Sequence, residues 1–506
     1  MSASVPRRDW ATRTPLTTEQ TRWLLWGMIA LWILILIIGQ SLKYYWWGQG
    51  YDQIDYEQSI WNTTQGRFLE ISHYRHTDHL WGMDFSPAIL LLVPLYVLFP
   101  SAYTLIVIQA VFMAVGALPI YAIARRRFGG DPRAGLLWSA GYLLYPSLQF
   151  VTMTAPWQPR TLAVPALLGA FWAFEQRRFS WYIALLVLAL TTRTDVALVV
   201  IAFGLLALVW RRPIQWWFTP IVLGGLWLVI STSVLVPAFY RADYQPQTGA
   251  LGADYATTWP GKSPQLAYYS HLGASVGEII TTIVTHPLQT AKLMFTGDKI
   301  TYLFLLLLPL LFTPLLAPDV AVLAAPIIGM NLLSTRVYQF TIREQYQTLV
   351  IPGLILAAIV GSARLWQWSK RRFPNRGERW LSRIAVGFIG YALVINVVLK
   401  NPVLVTLRYH EKPERIGLME AFRAQIPPDA RVAATSFLAP RLLPRQHLYY
   451  LPNAPMFPSL DQADYLFIDA RSAAMRESGQ LAQFQAGPEW RVVRQDSDLW
   501  LFERVR

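Results

Sequence analysis

Hydrophobic positions in this chain come in long runs rather than in alternation. Beginning with WLLWGMIALWILILIIGQ, Trp23 to Gln40, apolar stretches approaching the roughly 20 residues of a bilayer-spanning helix recur as far as Leu399. The first run is too long for the apolar part of a cleaved signal peptide and lacks a small-residue cleavage site, so it predicts a retained signal anchor. Spans are predicted near 23–40, 103–124, 134–151, 161–175, 181–192, 195–210, 214–236, 300–316, 318–334, 347–365 and 381–399, about 11 crossings. FSPAILLLVPLYVLF, Phe85 to Phe99, is short and carries Pro87 and Pro94, and predicts a re-entrant or interfacial helix. From Asn401 the pattern changes to a polar helix, EKPERIGLMEAFRAQI, followed by the β-rich runs RVAAT, HLYYLP, DYLFIDA and RVVRQDSDLWLFER between Pro and polar turns. The fold class expected is mainly α: a polytopic transmembrane helical bundle over 1–400 with a small α/β domain over 401–506, its last two strands a hairpin.

Composition strengthens the membrane reading. With 54% hydrophobic and 15% charged residues among 506, and a mean hydropathy of +0.32, the chain has more apolar surface than a soluble core buries. The 22 Trp and 24 Tyr suit interfacial aromatic belts. A net charge of +14 comes from basic clusters between the apolar runs: Arg7, Arg8, Arg13 and Arg22, then RRRFGG from Arg125, EQRRF from Glu175, WRRP from Trp210, and SKRRFPNRGERWLSR from Ser369. Such clusters are orientation signals for cytoplasmic loops, so no nucleic-acid partner is expected. Parity places the N-terminus inside and the C-terminus outside a plasma membrane. Ser41 to Asp84, Val151 to Arg160, Arg241 to Lys299 and everything after about Lys400 are then extracytoplasmic. The absence of Cys removes disulfide and thiolate chemistry.

Carboxylates are scarce, which gives weight to YDQIDYEQSIWN, Tyr51 to Asn62. There Asp52, Asp55 and Glu57 follow directly on the first span. In a helix Asp52 and Asp55 share one face at i,i+3 and Glu57 turns elsewhere, with Trp61 beyond it. Two carboxylates on one face beside a low-dielectric membrane suit a general base or a divalent cation such as Mg or Mn; a solvated juxtamembrane helix is the alternative. HYRHTDHLWGMD adds His73, His76, Asp78, His79 and Asp84, at a spacing that matches no defined zinc motif. TTRTD carries Arg193 and Asp195 at an outer helix end, either a clamp for a lipid phosphate or a local turn pair. STRVYQFTIREQYQ adds Arg336, Arg343 and Glu344 among aromatic residues; Arg336 reads best as a snorkelling Arg at a membrane end. No Walker A loop, GxSxG elbow, HExxH or dinucleotide fingerprint stands in a supporting context.

These motifs resemble a bacterial and archaeal family of predicted multi-pass membrane proteins, itself similar to the GT-C glycosyltransferases that use polyprenyl-phosphate-linked sugars. The family's pattern appears as Asp52, Gln58, Trp61, Asn62 and Gly66, then as DFSPAILLLVPLY, TTRTDVAL, IPPDARVAATSFLAPRLLPRQHLYYLP and ADYLFIDA. Asp84 stands where the family usually has His. APWQPR, Ala155 to Arg160, replaces an outer-loop element that usually carries His and an acidic residue. The resemblance implies an inverting transferase at the outer membrane face, acting on a polyprenyl-phosphate sugar lipid amid membrane lipids, with a glycan, lipid or protein acceptor. It makes Asp52 the base, beside Asp55 and Glu57, with Arg193 or Arg343 on the donor phosphate. Asp52, Asp55 and Asp84 are the expected ligands of any divalent metal, and Asp195, Gln58, Trp61 and His79 are further candidates. A lipid or small-molecule transporter is the competing reading, but few charges lie within the spans. A non-catalytic lipid- or glycan-binding protein on the same scaffold is a third.

Overall fold

The computed structural model describes residues 17–242, 264–273, 275–373, 377–408, 410–454 and 457–505, with backbone alone at 264–265 and 377–386. The basic cluster Arg7, Arg8 and Arg13 lies outside the described residues, as do 243–263 of the third predicted outer segment and 374–376 of the last basic loop. The first apolar run is helix α1, Thr18–Tyr45, started by a capping box in which Thr17 and Gln20 exchange side-chain bonds to backbone N–H groups at 3.0 and 3.1 Å. A turn through Trp47, in the left-handed region at φ 57°, leads into α2, Asp52–Thr64.

Among the described residues four helices are long and apolar enough to cross a membrane: Thr18–Tyr45, Ala102–Arg127, Ile214–Phe239 and Val350–Arg372. Two bent pairs, Pro287–Met294 with Gly297–Leu310 and Gly387–Val398 with Pro402–Arg408, raise that to six if each is one span. Other predicted spans are built from shorter pieces. The run at 134–151 is two helices, Pro132–Leu143 and Pro146–Thr154, divided where Pro146 cannot continue a helix. The run at 318–334 is divided likewise into Pro318–Ala321 and Ala325–Leu333. Phe85 to Phe99, predicted not to cross, forms a short 3-10 helix at Pro87–Leu91 and a helix at Val93–Leu98.

One apolar core joins the bundle. Its centre is the helix Arg160–Glu175, nearly all buried, against Val350–Arg372, which is buried from Val350 to Gly361. The C-terminal region has the predicted character. After the helix Pro413–Arg423 come β1 (Val432–Thr435), β2 (Leu448–Leu451), β3 (Tyr465–Asp469), β4 (Trp490–Asp496) and β5 (Leu499–Arg504), in sheet order β2-β1-β3-β5-β4. β1 runs parallel to β2 and β3, and β4–β5 is the predicted hairpin. The sheet sits against the start of α2, because Trp47 and Ile54 belong to the same buried cluster as Val432, Tyr450 and Phe467. That contact brings a distant part of the chain to the acidic helix.

Candidate active site

Asp52 and Asp55 fall in the first turn of α2, where backbone N–H groups and the helix dipole favour negative charge. Both line a cavity of about 330 Å³. The stretch 74–86, Arg193, Tyr240, Tyr268 and the segment 336–346 complete its wall, so six tyrosines (Tyr56, Tyr74, Tyr240, Tyr268, Tyr338 and Tyr346) surround it. The two carboxylates meet different partners. Asp52 Oδ2 accepts one bond, from Gln345 Nε2 at 2.9 Å. Burial, then the neighbouring Asp55 and Glu344 charges, push its pKa up to about 6, against the pull of Arg336 and Arg193. At neutral pH it is ionised and still basic enough to take a proton.

Asp55 is enclosed. Oδ1 lies 2.5 Å from His73 Nε2 and accepts from the Tyr450 hydroxyl at 2.9 Å, and Oδ2 accepts from the Tyr74 hydroxyl at 3.3 Å. Gln58 Nε2 donates to Ser72 Oγ and to the Gln446 carbonyl at 2.9 and 2.7 Å, which turns its oxygen toward His73 Nδ1 at 3.2 Å. His73 thus bridges the Gln58 amide and the Asp55 carboxylate. The Tyr450 ring is stacked between Tyr51, at 3.7 Å, and His73, at 4.6 Å. Asp55 therefore anchors the sheet to α2.

Glu57 turns away from the cavity, as its helical position predicts. It is buried, accepts from Gln53 Nε2 at 2.5 Å and from the Tyr96 hydroxyl at 3.1 Å, and burial pushes it up to about 7 against those two bonds. Asp84 and Arg193, on different loops, form an ion pair; Arg193 also lies 3.8 Å from Asp195, which accepts from Arg160 Nε at 3.0 Å. Two Arg and two Asp thus compensate one another. Arg343 is apart from Arg193: it is exposed, packs over Phe150 at 5.6 Å, and lines a second cavity of about 450 Å³ that also reaches Asp52 and Glu344. Trp61 packs under Arg67 at 5.2 Å, and His79 stacks on Phe239 at 4.2 Å; neither lines the first cavity. Burial holds His76 and His79 down at about 4.

The expected metal ligands are not brought together in this structure. Among the described residues no group of His, Asp and Glu side chains converges in a way that holds a metal ion. Asp84 is taken by Arg193 and by the Thr194 N–H at 3.1 Å, and Asp55 by His73, Tyr74 and Tyr450, which leaves Asp52 without the other two as ligands. Residues that the sequence reading passed over include Tyr450, Gln345 and Arg160. The interleaving of Arg and aromatic residues in STRVYQFTIREQYQ was the one available signal for Gln345.

Similarity to solved structures lies in the fold. ArnT from Cupriavidus metallidurans in the apo state matches at TM-score 0.52 and 13% identity, over 96% of this chain and 99% of that one. The arabinofuranosyltransferase AftD from Mycobacteria matches at TM-score 0.50 and 13% identity, over 97% of this chain and 40% of that one. A weaker likeness, TM-score 0.41 at 13% identity over 86% and 68%, is to the Archaeoglobus fulgidus oligosaccharyltransferase complex with Zn and sulfate. The bundle is a GT-C fold of the kind these glycosyltransferases share. Among curated proteins no sequence match is found. The model of one family matches residues 47–501, and the chain belongs to that family, the Predicted membrane protein (DUF2079) family.

Proposed function

We propose that this protein is an inverting glycosyltransferase that takes a sugar from a polyprenyl-phosphate donor at the outer face of the plasma membrane. The carrying observation is the place of Asp52: it stands on the wall between two cavities, oriented by Gln345 and buried enough to be basic. The tyrosine-lined cavity takes the donor. Tyrosine rings offer faces to sugar C–H groups and hydroxyls to sugar oxygens. The donor phosphate is placed against Arg336, which lies over the Tyr268 and Tyr346 rings at 5.0 and 5.5 Å. Arg193, already balanced by Asp84, shapes the wall. In the transfer, Asp52 takes the proton of the acceptor hydroxyl, the acceptor oxygen bonds to the anomeric carbon from the face opposite the phosphate, and the bond from that carbon to the phosphate oxygen breaks. The electron pair leaves with the polyprenyl phosphate, and the proton on Asp52 passes to water.

In this reading 1–400 is the membrane domain, and 401–506 is an extracytoplasmic domain that braces α2 through Tyr450. Asp52→Asn keeps shape and the Gln345 contact but cannot accept a proton. Transfer from a panel of lipid-linked sugars by the monodisperse variant should fall by about 100-fold or more. The wild-type rate should rise with pH through about 6 and level above it, because below that value Asp52 keeps its own proton. Full-rate transfer by Asp52→Asn removes Asp52 as the base. Label accessible from outside at Asp461 and only from inside at Gly129 and Arg177 tests the orientation.

A further inference from the structure

Asp52 divides two spaces, and the second has a chemistry of its own. Its wall carries Lys43 and Arg343 with Phe150 and Phe437. Lys43 Nζ donates to the carbonyls of Met153 at 2.8 Å and Thr154 at 3.2 Å, which fix the ammonium without neutralising it. The Arg343 guanidinium lies over Phe150 at 5.6 Å. Among the described residues neither cation stands in an ion pair, whereas Arg160 and Arg193 are both matched by carboxylates. Phe437 is 57% exposed beside them. Lys43 faces the Glu344 and Asp52 carboxylates on this wall, so the exposed Arg343 guanidinium is the cation that calls for an anion on the ligand, and the exposed ring offers a surface for an apolar part of it.

We infer that this second cavity binds the acceptor, and that the acceptor carries a phosphate beside the hydroxyl that receives the sugar. The inference rests on the reading above and adds the acceptor's class and place. The phosphate is that of a phospholipid headgroup or of a soluble phosphorylated polyol or glycan. Asp52 and Glu344 are the carboxylates on this wall, and burial raises the pKa of both, which softens their repulsion of a phosphate. The acceptor hydroxyl is then delivered to Asp52 from a space other than the one that holds the donor sugar.

The test uses the full chain in phosphatidylcholine nanodiscs. Binding of glycerol 3-phosphate from solution, and of phosphatidylglycerol added to the disc, is measured for the wild type, Arg343→Gln and Lys43→Gln. Binding of glycerol 3-phosphate marks a soluble source, and binding of phosphatidylglycerol alone a lipid source; either supports the inference if Arg343→Gln weakens it about tenfold or more. Arg343 is exposed, so its replacement leaves the fold intact even if Lys43→Gln disturbs the end of α1. Wild-type protein that binds neither probe, or Arg343→Gln that binds as the wild type does, overturns it. Failure of the donor reading is seen separately, as polyprenyl phosphate affinity that Arg336→Gln leaves unchanged.

Discussion

Replacing His73 with Ala removes the ring that hydrogen-bonds Asp55 Oδ1 at 2.5 Å. The Asp55 side chain is 10% exposed, so water does little to replace that partner, and the two tyrosine hydroxyls at 2.9 and 3.3 Å are what remain. Removing one member of a buried pair costs about 3–5 kcal/mol, and loss of the His73 ring from its stack on Tyr450 adds about 1 kcal/mol. Asp55→Asn is milder, since its amide can still accept from Tyr450 and donate to His73 Nε2. In the Asp55→Asn background His73→Ala leaves no buried charge, so its cost should fall by about 2 kcal/mol, within the coupling expected of contacting residues. Amide hydrogen exchange on purified protein reads this locally. His73→Ala should speed exchange of the β2 amides, Leu448–Leu451, by roughly 30-fold more in the wild-type background than in the Asp55→Asn background. An equal cost of His73→Ala in both backgrounds would falsify the Asp55–His73 coupling and reduce the contact to ring packing.

Glu57 gives a pH-dependent result of definite sign. Its folded pKa, about 7, lies above the usual 4.5, so the fold binds the proton better than the unfolded chain does. Stability is present in full below 4.5 and is lost as pH rises to about 7, a difference on the order of 3 kcal/mol. Glu57→Gln should therefore stabilise the protein at pH 8 and change little at pH 4.5 in paired thermal unfolding; equal effects at both values would refute it. Gly82→Ala should destabilise by about 1–3 kcal/mol, because a Cβ there overlaps the Thr77 hydroxyl and comes within 2.9 Å of the Phe239 carbonyl. Thr77 Oγ donates to that carbonyl at 2.7 Å, so the methyl also parts the 77–82 stretch from the end of the Ile214–Phe239 span, and unchanged stability would mean that this wall yields freely.

Much of the bundle was legible because hydropathy averaged over a window finds apolar length. The same averaging hides local breaks. Residues 134–151 read as one span, and Pro146 starts a second helix within it; 318–334 is broken in the same manner. The C-terminal strands were legible from β-rich runs punctuated by Pro and polar turns, and their hairpin from its short connection, with Ser497 at φ 50°. Sheet order was not, because β1 pairs with β2 and β3 through parallel crossovers whose choice of neighbour leaves no mark on local pattern. Asp84 and Arg193 were each visible as charged residues near helix ends, and their pairing was not, since it depends on how two loops meet.

The acidic helix shows where the local code ends. Helical spacing makes Asp52 and Asp55 equivalent, two carboxylates one turn apart on one face, and nothing within α2 distinguishes base from anchor. The distinction comes from partners far along the chain. Tyr450, 395 residues away, occupies Asp55 together with His73 and Tyr74, so its oxygens are committed before any acceptor arrives. Gln345, 293 residues from Asp52, makes one bond to a single oxygen of that carboxylate and leaves the other facing the cavities. A carboxylate with all its directions filled holds structure, whereas one oriented by a single donor beside open space is poised to take a proton. In the proposed reaction Asp52 therefore takes the part of the base, and Asp55 keeps the helix that carries it in place.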